Sequence, residues 1–261
     1  MKVRLGDIEV AYSRYGEGSP VVMLHGLAED RRSWTDVQTR RRQFATNAYD
    51  LRGHGETSLG EAQGTLEQLG CDLISFLEVV TGPARCVGYS LGGTIVLWTA
   101  AERPDLVLQA VVAGTSTVVN RTATGFFHDR IHLIETDFER FATALRDDTA
   151  QQLVSAQVDL DEIVARRLRA IGDGGGYVNA ARAIQRLREA PLTPRLPEIE
   201  CAVDIIGGDA DVFCPRKAAD IILSAVRNGA YHELANAGHL MSIDQPAAYA
   251  EAIASALQRS N

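Results

Sequence analysis

The sequence predicts an α/β fold in which helices cover both faces of a mostly parallel, doubly wound β-sheet. Two observations support this prediction. Short apolar runs without alternation are typical of strands that are buried on both faces, and helical patterns alternate with these runs along the chain. At 261 residues, of which 46% are hydrophobic and 23% charged, the chain is long enough to bury a sizeable core.

The first predicted element is an antiparallel hairpin. Side chains alternate in residues 3–5 and again in residues 8–12, and Gly6-Asp7 between them favours a turn. Beyond the hairpin the alternation disappears, and apolar runs predict core strands at residues 20–24, 45–49, 84–87, 108–113 and 202–206. Apolar residues at helical spacing predict helices at residues 65–80, 91–101 and 247–257.

Strand patterns are absent between about Asn120 and Pro197. Apolar residues recur there at helical spacing, a glycine-rich stretch at residues 172–176 interrupts the pattern, and three prolines end it. We therefore predict a core made of residues 1–119 and 198–261, with a helical segment, residues 120–197, inserted between two core strands.

The net charge of −8 and the pI of about 5.3 give no electrostatic support for a nucleic-acid partner. The basic clusters Arg31-Arg32 and Arg40-Arg41-Arg42 are interpreted as a solvated helix face. No stretch approaches the roughly 18–20 apolar residues that span a bilayer. The beginning of the chain lacks the apolar segment of a signal peptide, so we expect no membrane partner and a cytoplasmic location.

The four cysteines lack metal-ligand spacing, and we expect them to be reduced thiols without a chemical role. No phosphate-binding loop or metal-ligand cluster occurs in the sequence. We therefore expect no metal site and no cofactor. The oligomeric state stays open.

Ser90 lies in the pentapeptide Gly-Tyr-Ser-Leu-Gly, between a predicted strand and a predicted helix. This pattern is typical of a nucleophile elbow, a turn so tight that glycines must flank it. Such a turn exposes the serine hydroxyl and brings the N–H of Leu91 to the same point, at the positive end of a helix. The alternative is a structural turn without chemistry.

A serine hydroxyl becomes nucleophilic when an imidazole accepts its proton and a carboxylate orients that imidazole. His239 follows a strand predicted at residues 231–234, and Asp211 follows the strand at 202–206, with Asp209 as the competing carboxylate. The Leu27 N–H, in a loop after the strand at 20–24, could be a second donor to an oxyanion. His25, in the same loop, is interpreted as a residue that braces the loop.

With these residues in place, the chain resembles the α/β-hydrolase fold family, in particular its cap-bearing esterases, enol-lactonases and C–C hydrolases. The resemblance covers nearly the whole chain. It rests on VVMLHGLAEDRRSW at 21–34, YDLRGHGETS at 49–58, VGYSLGG at 87–93, GGDADVFCP at 207–215 and ANAGHLMSIDQP at 235–246.

The resemblance implies the α/β-hydrolase fold with a helical cap, here residues 120–197. It also implies Ser90 as nucleophile, His239 as base and Asp211 as acid, with Leu27 and Leu91 as oxyanion donors. The family spacing G-x-x-D-x-x-x-P favours Asp211 over Asp209. His54, in a D-x-R-G-x-G loop, takes a structural role in this interpretation.

The implied function is hydrolysis of a carboxylic ester or lactone of a small, largely apolar molecule through an acyl-enzyme. Two alternatives stay open: hydrolysis of a C–C bond in a vinylogous diketone, and a small-molecule receptor of the same fold. An arginine such as Arg121 or Arg130 could bind a charged substrate, although no position is distinguished. We expect the substrate pocket to be lined by Trp34, Tyr89, Phe126, Phe127, Phe138 and Met241.

Overall fold

The structure is a computed structural model that describes residues 1–40 and 43–259. Within this part of the chain, one eight-stranded sheet has the strand order β1-β2-β4-β3-β5-β6-β7-β8. The strands are β1 Lys2–Leu5, β2 Ile8–Tyr15, β3 Pro20–Leu24, β4 Ala45–Tyr49, β5 Ala84–Tyr89, β6 Val107–Ala113, β7 Ala202–Gly208 and β8 Gly229–Leu234. The pairs β1–β2 and β2–β4 are antiparallel and the others parallel. The predicted sheet with its N-terminal antiparallel hairpin is therefore confirmed.

Helices cover both faces of the sheet. They are α1 Thr35–Arg40, α2 Leu66–Phe76, α3 Leu91–Glu102, α4 Arg121–Thr136, α5 Phe138–Gln151, α6 Leu160–Ile171, α7 Gly175–Arg186, α8 Arg216–Ala225, α9 Met241–Asp244 and α10 Pro246–Gln258. Short 3₁₀ turns occupy Arg31–Trp34 and Thr193–Glu198, and a π-helical turn occupies Leu77–Thr81. No helix in the described ranges has both the length and the apolar character needed to cross a membrane.

Successive residues of β3 show how the two faces are filled. Val22 and Leu24 pack in a cluster with residues of α2, α3 and α8, whereas Val21 and Met23 pack in a second cluster with α1 and α10. Side chains alternate across a strand, so burial on both faces requires a continuous apolar run. This explains why the core strands lack the alternation seen in the hairpin.

Helices α4–α7 lie between β6 and β7 in the chain and pack around a cluster of their own. Phe141, which is fully buried, contacts Tyr177 edge-on with 5.2 Å between the ring centroids, and Ala28 of the loop after β3 joins the cluster. The helical character predicted for this segment is observed, while its division from the core as a cap stays a prediction.

The basic clusters differ in part from the prediction. Arg31 does not lie on a solvated face, because its guanidinium pairs with Asp50 and Glu56. Asp50 is fully buried, and a buried carboxylate requires such a partner. Arg40 is exposed at the end of α1, and residues 41–42 lie outside the described part of the chain.

The sheet register brings several loops to one edge. Leu24 at the end of β3 pairs with Gly88 of β5, and Gly208 at the end of β7 pairs with Leu234 at the end of β8. These strands are parallel, so the loops that follow them leave the sheet on the same side. Ligands bind at this edge in open α/β sheets, and the residues considered next lie there.

Candidate active site

Ser90 lies in a strained turn between β5 and α3. Its φ of 52° is a conformation that residues other than glycine rarely adopt. A Cβ atom on Gly88 would lie 2.3 Å from the Gly92 carbonyl oxygen, and one on Gly92 would lie 2.3 Å from the Leu24 carbonyl oxygen. Both positions therefore require glycine, and the turn holds the Ser90 side chain clear of the sheet.

His239 lies between Ser90 and Asp211. Its Nε2 atom is 3.1 Å from the Ser90 hydroxyl oxygen, and its Nδ1 atom is 2.8 Å from Asp211 Oδ2. The N–H groups of Phe213 and Cys214 donate to Asp211 Oδ1, both at 2.8 Å. The structure thus brings together the three side chains that the sequence predicts as a triad, although their catalytic roles stay a prediction.

The environment of Asp211 favours its ionised form. Burial acts to raise the pKa of Asp211. Two effects outweigh burial: the positive charge that His239 can carry, and the hydrogen bonds that the carboxylate accepts. The pKa of Asp211 is therefore lowered below its usual range. An ionised Asp211 accepts the Nδ1–H of His239. The Nε2 atom is then free to accept the proton of Ser90.

Asp209, the competing carboxylate, lies elsewhere. Its side chain accepts a hydrogen bond from the Ala237 N–H at 3.1 Å, and backbone N–H groups of Asn236 and Ala237 lower its pKa. Asp209 therefore supports the loop that carries His239, whereas Asp211 contacts the imidazole directly.

The loop that follows β3 is held by two buried histidines. The Leu51 N–H donates to His25 Nε2 at 2.9 Å, so Nδ1 carries the ring proton and donates to the Gly26 carbonyl oxygen at 2.7 Å. His54 Nε2 lies 2.7 Å from the Leu27 carbonyl oxygen. Burial lowers the pKa of both histidines, which favours neutral rings that brace the loop.

Gly26 allows this loop to approach the elbow. A Cβ atom at this position would lie 2.8 Å from the Tyr89 ring. Leu27 lines the same small cavity as Ser90, and Leu91 is the first residue of α3. The use of the Leu27 and Leu91 N–H groups as oxyanion donors stays a prediction.

The Ser90 hydroxyl and the His239 ring face a cavity of about 70 Å³. Three of the predicted pocket residues, Tyr89, Phe126 and Phe127, line it. A larger cavity of about 690 Å³ lies beside it, and the two share Ala28, Glu29 and Arg167 in their walls.

The other three predicted pocket residues are not among those that line either cavity. Trp34 and Met241 are buried in the core on the α1 and α10 side of the sheet, where Trp34 stacks on Tyr249 with 6.1 Å between the ring centroids. Phe138 is 38% exposed on α5 and packs beside Phe141. In this structure they contribute to the packing of the core and of α5, and a contact of these three residues with substrate stays a prediction.

Arg167 of α6 lines the cavity and was not predicted from the sequence. Its Nη1 atom donates to Thr149 Oγ1 at 2.8 Å and to Gln152 Oε1 at 2.9 Å, while its Nε atom is buried without a hydrogen-bond partner. No carboxylate in the described ranges forms an ion pair with it. By contrast, Arg130 makes two bonds of 2.7 Å to Asp148, so its charge is neutralised.

Glu29 also lies in the cavity wall and interacts electrostatically with Arg167. Burial raises the pKa of Glu29, while the positive charge of Arg167 acts to lower it. A sequence signal for Arg167 exists in hindsight: it lies four residues after Ile163 and four before Ile171, on the buried face of α6. An arginine on an apolar helix face requires a reason to be there.

The sequence profile of the alpha/beta hydrolase family matches residues 21–252 of the chain. The chain is similar to 3-oxoadipate enol-lactonase 2 of Acinetobacter baylyi, with 24% identity over 98% of this chain and 95% of that protein. It is also similar to 3-oxoadipate enol-lactonase 1 of the same organism, with 28% identity over 88% and 85%. A solved structure, the enol-lactonase from Burkholderia xenovorans, superposes with a TM-score of 0.88 and 23% identity, over 99% of this chain and 100% of that one.

Proposed function

The chain belongs to the alpha/beta hydrolase family, and from this premise we propose that it is a serine hydrolase that cleaves a carboxylic ester or a lactone. The observation that carries the proposal is the hydrogen-bonded series from Ser90 through His239 to Asp211 at the edge of the sheet. An alcohol, an imidazole and a buried carboxylate in this order form the arrangement that activates serine for attack on a carbonyl carbon.

In the proposed reaction the Ser90 oxygen attacks the ester carbonyl while His239 Nε2 takes the hydroxyl proton. Asp211 stabilises the imidazolium. The negative oxygen of the tetrahedral intermediate accepts hydrogen bonds from the Leu27 and Leu91 N–H groups. His239 then gives its proton to the leaving oxygen, and a water molecule activated by the same imidazole hydrolyses the acyl-enzyme. No step in this scheme uses a metal or an organic cofactor.

Helices α4–α7 form the cap in this proposal. Phe126 and Phe127 of α4 and Arg167 of α6 close the cavity over Ser90. Apolar walls with a few polar groups suit a small organic substrate. The cytoplasmic location expected from the sequence remains part of the proposal.

The proposed substrate carries a carboxylate besides its ester or lactone group. Arg167 supports this, because its buried Nε–H has no partner and an arginine fork matches a carboxylate. The two curated relatives are named for the enol-lactone of 3-oxoadipate, and a lactone formed by one end of a dicarboxylate keeps its other carboxylate free. The family resemblance alone left the charge of the substrate open.

Labelling with a fluorophosphonate, followed by mass mapping, tests the nucleophile. We expect the label on Ser90, and we expect Ser90→Ala to lower kcat for a responsive ester by at least about 10⁴-fold. Ser224→Ala, at an exposed position of α8, is the matched control and should keep full activity. A label on another residue, or near-normal turnover by Ser90→Ala, would overturn the proposal.

The monoester of a dicarboxylic acid and its neutral diester test the role of Arg167. We expect kcat/KM to favour the monoester and Arg167→Met to reduce this preference about 10- to 100-fold, the range for a hydrogen bond to a charged group. Arg166→Met is the control, because Arg166 is exposed and lines only the larger cavity. An unchanged preference would show that Arg167 does not bind the carboxylate of the substrate.

A separate assay distinguishes the possible reactions. Lactones and vinylogous diketones, assayed beside these esters, separate lactonase and C–C hydrolase activity from esterase activity.

A further inference from the structure

One carboxylate joins the loop that carries His239 to the segment that follows α5. Asp244, at the end of α9, accepts the Gly238 N–H on Oδ2 at 2.8 Å. Its Oδ1 atom accepts the Ser155 N–H at 2.9 Å, and the Val154 N–H lies 3.1 Å from both oxygens. Asp244 thus holds backbone groups from two parts of the chain that are distant in sequence.

The two backbones also touch each other directly. The Leu240 N–H donates to the Gln152 carbonyl oxygen at 3.0 Å. A Cβ atom on Gly238 would lie 2.4 Å from that same oxygen. Both chain neighbours of His239 therefore contact the Gln152 carbonyl oxygen, and position 238 has no room for a side chain.

The contact continues to Arg167. The Gln152 side chain accepts the Arg167 Nη1–H at 2.9 Å and lines the cavity that contains Ser90 and His239. Asp244 is therefore linked through hydrogen bonds and short stretches of backbone to both groups: Gly238 is the neighbour of His239, and Val154 follows closely after Gln152, which bonds to Arg167.

Resting on the proposed function, we propose that Asp244 is a positioning residue that sets the spacing between His239 and Arg167. This spacing fixes the distance between the scissile carbonyl and the carboxylate of a substrate that both groups engage. Asp244 acts through backbone hydrogen bonds and does not touch the substrate. The enzyme then selects for substrates in which the two groups are the right distance apart.

Asp244→Asn tests this inference without a change in side-chain size. An amide keeps one acceptor oxygen and replaces the other with an N–H₂ group, which cannot accept the backbone N–H groups that face it. We expect kcat for both the monoester and the diester to fall about 10-fold, a modest loss for misplaced catalytic groups. We also expect the preference for the monoester to fall toward that of Arg167→Met.

Two control variants separate the roles. Asp209→Asn weakens a bond to Ala237 on the same loop without touching residues 152–155, and it should lower kcat while leaving the monoester preference intact. Asp220→Asn, on the exposed surface of α8 in an ion pair with Arg216, should change neither. If Asp244→Asn lowers kcat with an unchanged preference, Asp244 only braces the loop and the inference is wrong.

Amide hydrogen exchange provides a readout that needs no substrate. In Asp244→Asn the Gly238, Val154 and Ser155 amides should exchange at least about tenfold faster than in the unaltered protein, because they lose their shared acceptor. Faster exchange at Gly238 alone would contradict the link between the two segments. If the proposed function is wrong, Ser90 should not be labelled by the fluorophosphonate. The exchange measurement does not depend on that labelling, so the two failures can be distinguished.

Discussion

His25 fixes the peptide that presents the predicted oxyanion donor. The Gly26 carbonyl oxygen, which accepts the His25 Nδ1–H, and the Leu27 N–H belong to the same peptide group. In a trans peptide these two groups point in opposite directions. A hydrogen bond to the carbonyl therefore sets the direction of the N–H, and it polarises the peptide so that the N–H becomes a better donor.

Substitutions at His25 test this arrangement. We expect His25→Leu to lower kcat about 10-fold with little change in KM, less than the roughly 10²–10³-fold loss when an oxyanion donor is removed outright. His25→Asn, whose amide can still donate to the Gly26 carbonyl, should retain more activity. Steady-state kinetics on a neutral ester give both values, and melting temperatures show whether each variant is folded. Equal kcat in all three proteins would show that the orientation of this peptide does not limit the reaction.

Among the elements, the core strands were the most predictable from sequence. Residues 21–24 of β3 are all buried, and burial on both faces favours a continuous apolar run of this kind. The extent of α2 was less predictable. Apolar spacing continues to residue 80, but the helix ends at Phe76 and passes into a π-helical turn. There the Gly82 N–H bonds to the Leu77 carbonyl oxygen at 2.7 Å. The apolar spacing of this segment is compatible with an α-helical and with a π-helical turn, so the sequence does not show where one passes into the other.

The three side chains at Ser90, Asp211 and His239 could be predicted because each follows a strand. Parallel strands end at one edge, so sequence order places these residues together. The pocket could not be predicted in the same way. Helical spacing shows that Phe141 lies on a buried face, but its partner Tyr177 belongs to α7. The partners of Arg167 lie on or directly after α5, and contacts of this kind depend on how α4–α7 pack.

At the scale of the whole molecule, one guanidinium joins three distant parts of the chain. Arg52, 4% exposed, donates to Asp7 in the β1–β2 turn at 2.8 and 3.0 Å. It also donates to Asp72 of α2 at 2.9 and 2.7 Å. The hairpin, the loop after β4 and α2 are therefore held by a single residue. Removing one partner from such a buried ion pair destabilises the fold, because a charge is then left buried without compensation.

The Asp7–Arg52 contact makes stability depend on acidity. Hydrogen bonds from Arg52 lower the pKa of Asp7 to about 2, against roughly 3.9 in an unfolded chain. A carboxyl group with a lowered pKa stabilises the fold fully above the unfolded pKa, and this contribution is lost as the pH falls through the folded pKa. The Asp7 side chain is 46% exposed, so solvent screening reduces its contribution to about 1 kcal/mol.

Asp7→Asn removes this dependence and tests it. We expect the free energy of unfolding to be about 1 kcal/mol lower for Asp7→Asn than for the unaltered protein at pH 6, because the charge on the carboxylate is absent. The difference should shrink steadily between pH 4 and pH 2, over roughly the interval that separates the unfolded and folded pKa values. Urea unfolding of both proteins at several pH values measures it. A difference that stays constant over this range would mean that Asp7 acts by shape and neutral hydrogen bonding, and that its charge does not hold the hairpin to Arg52.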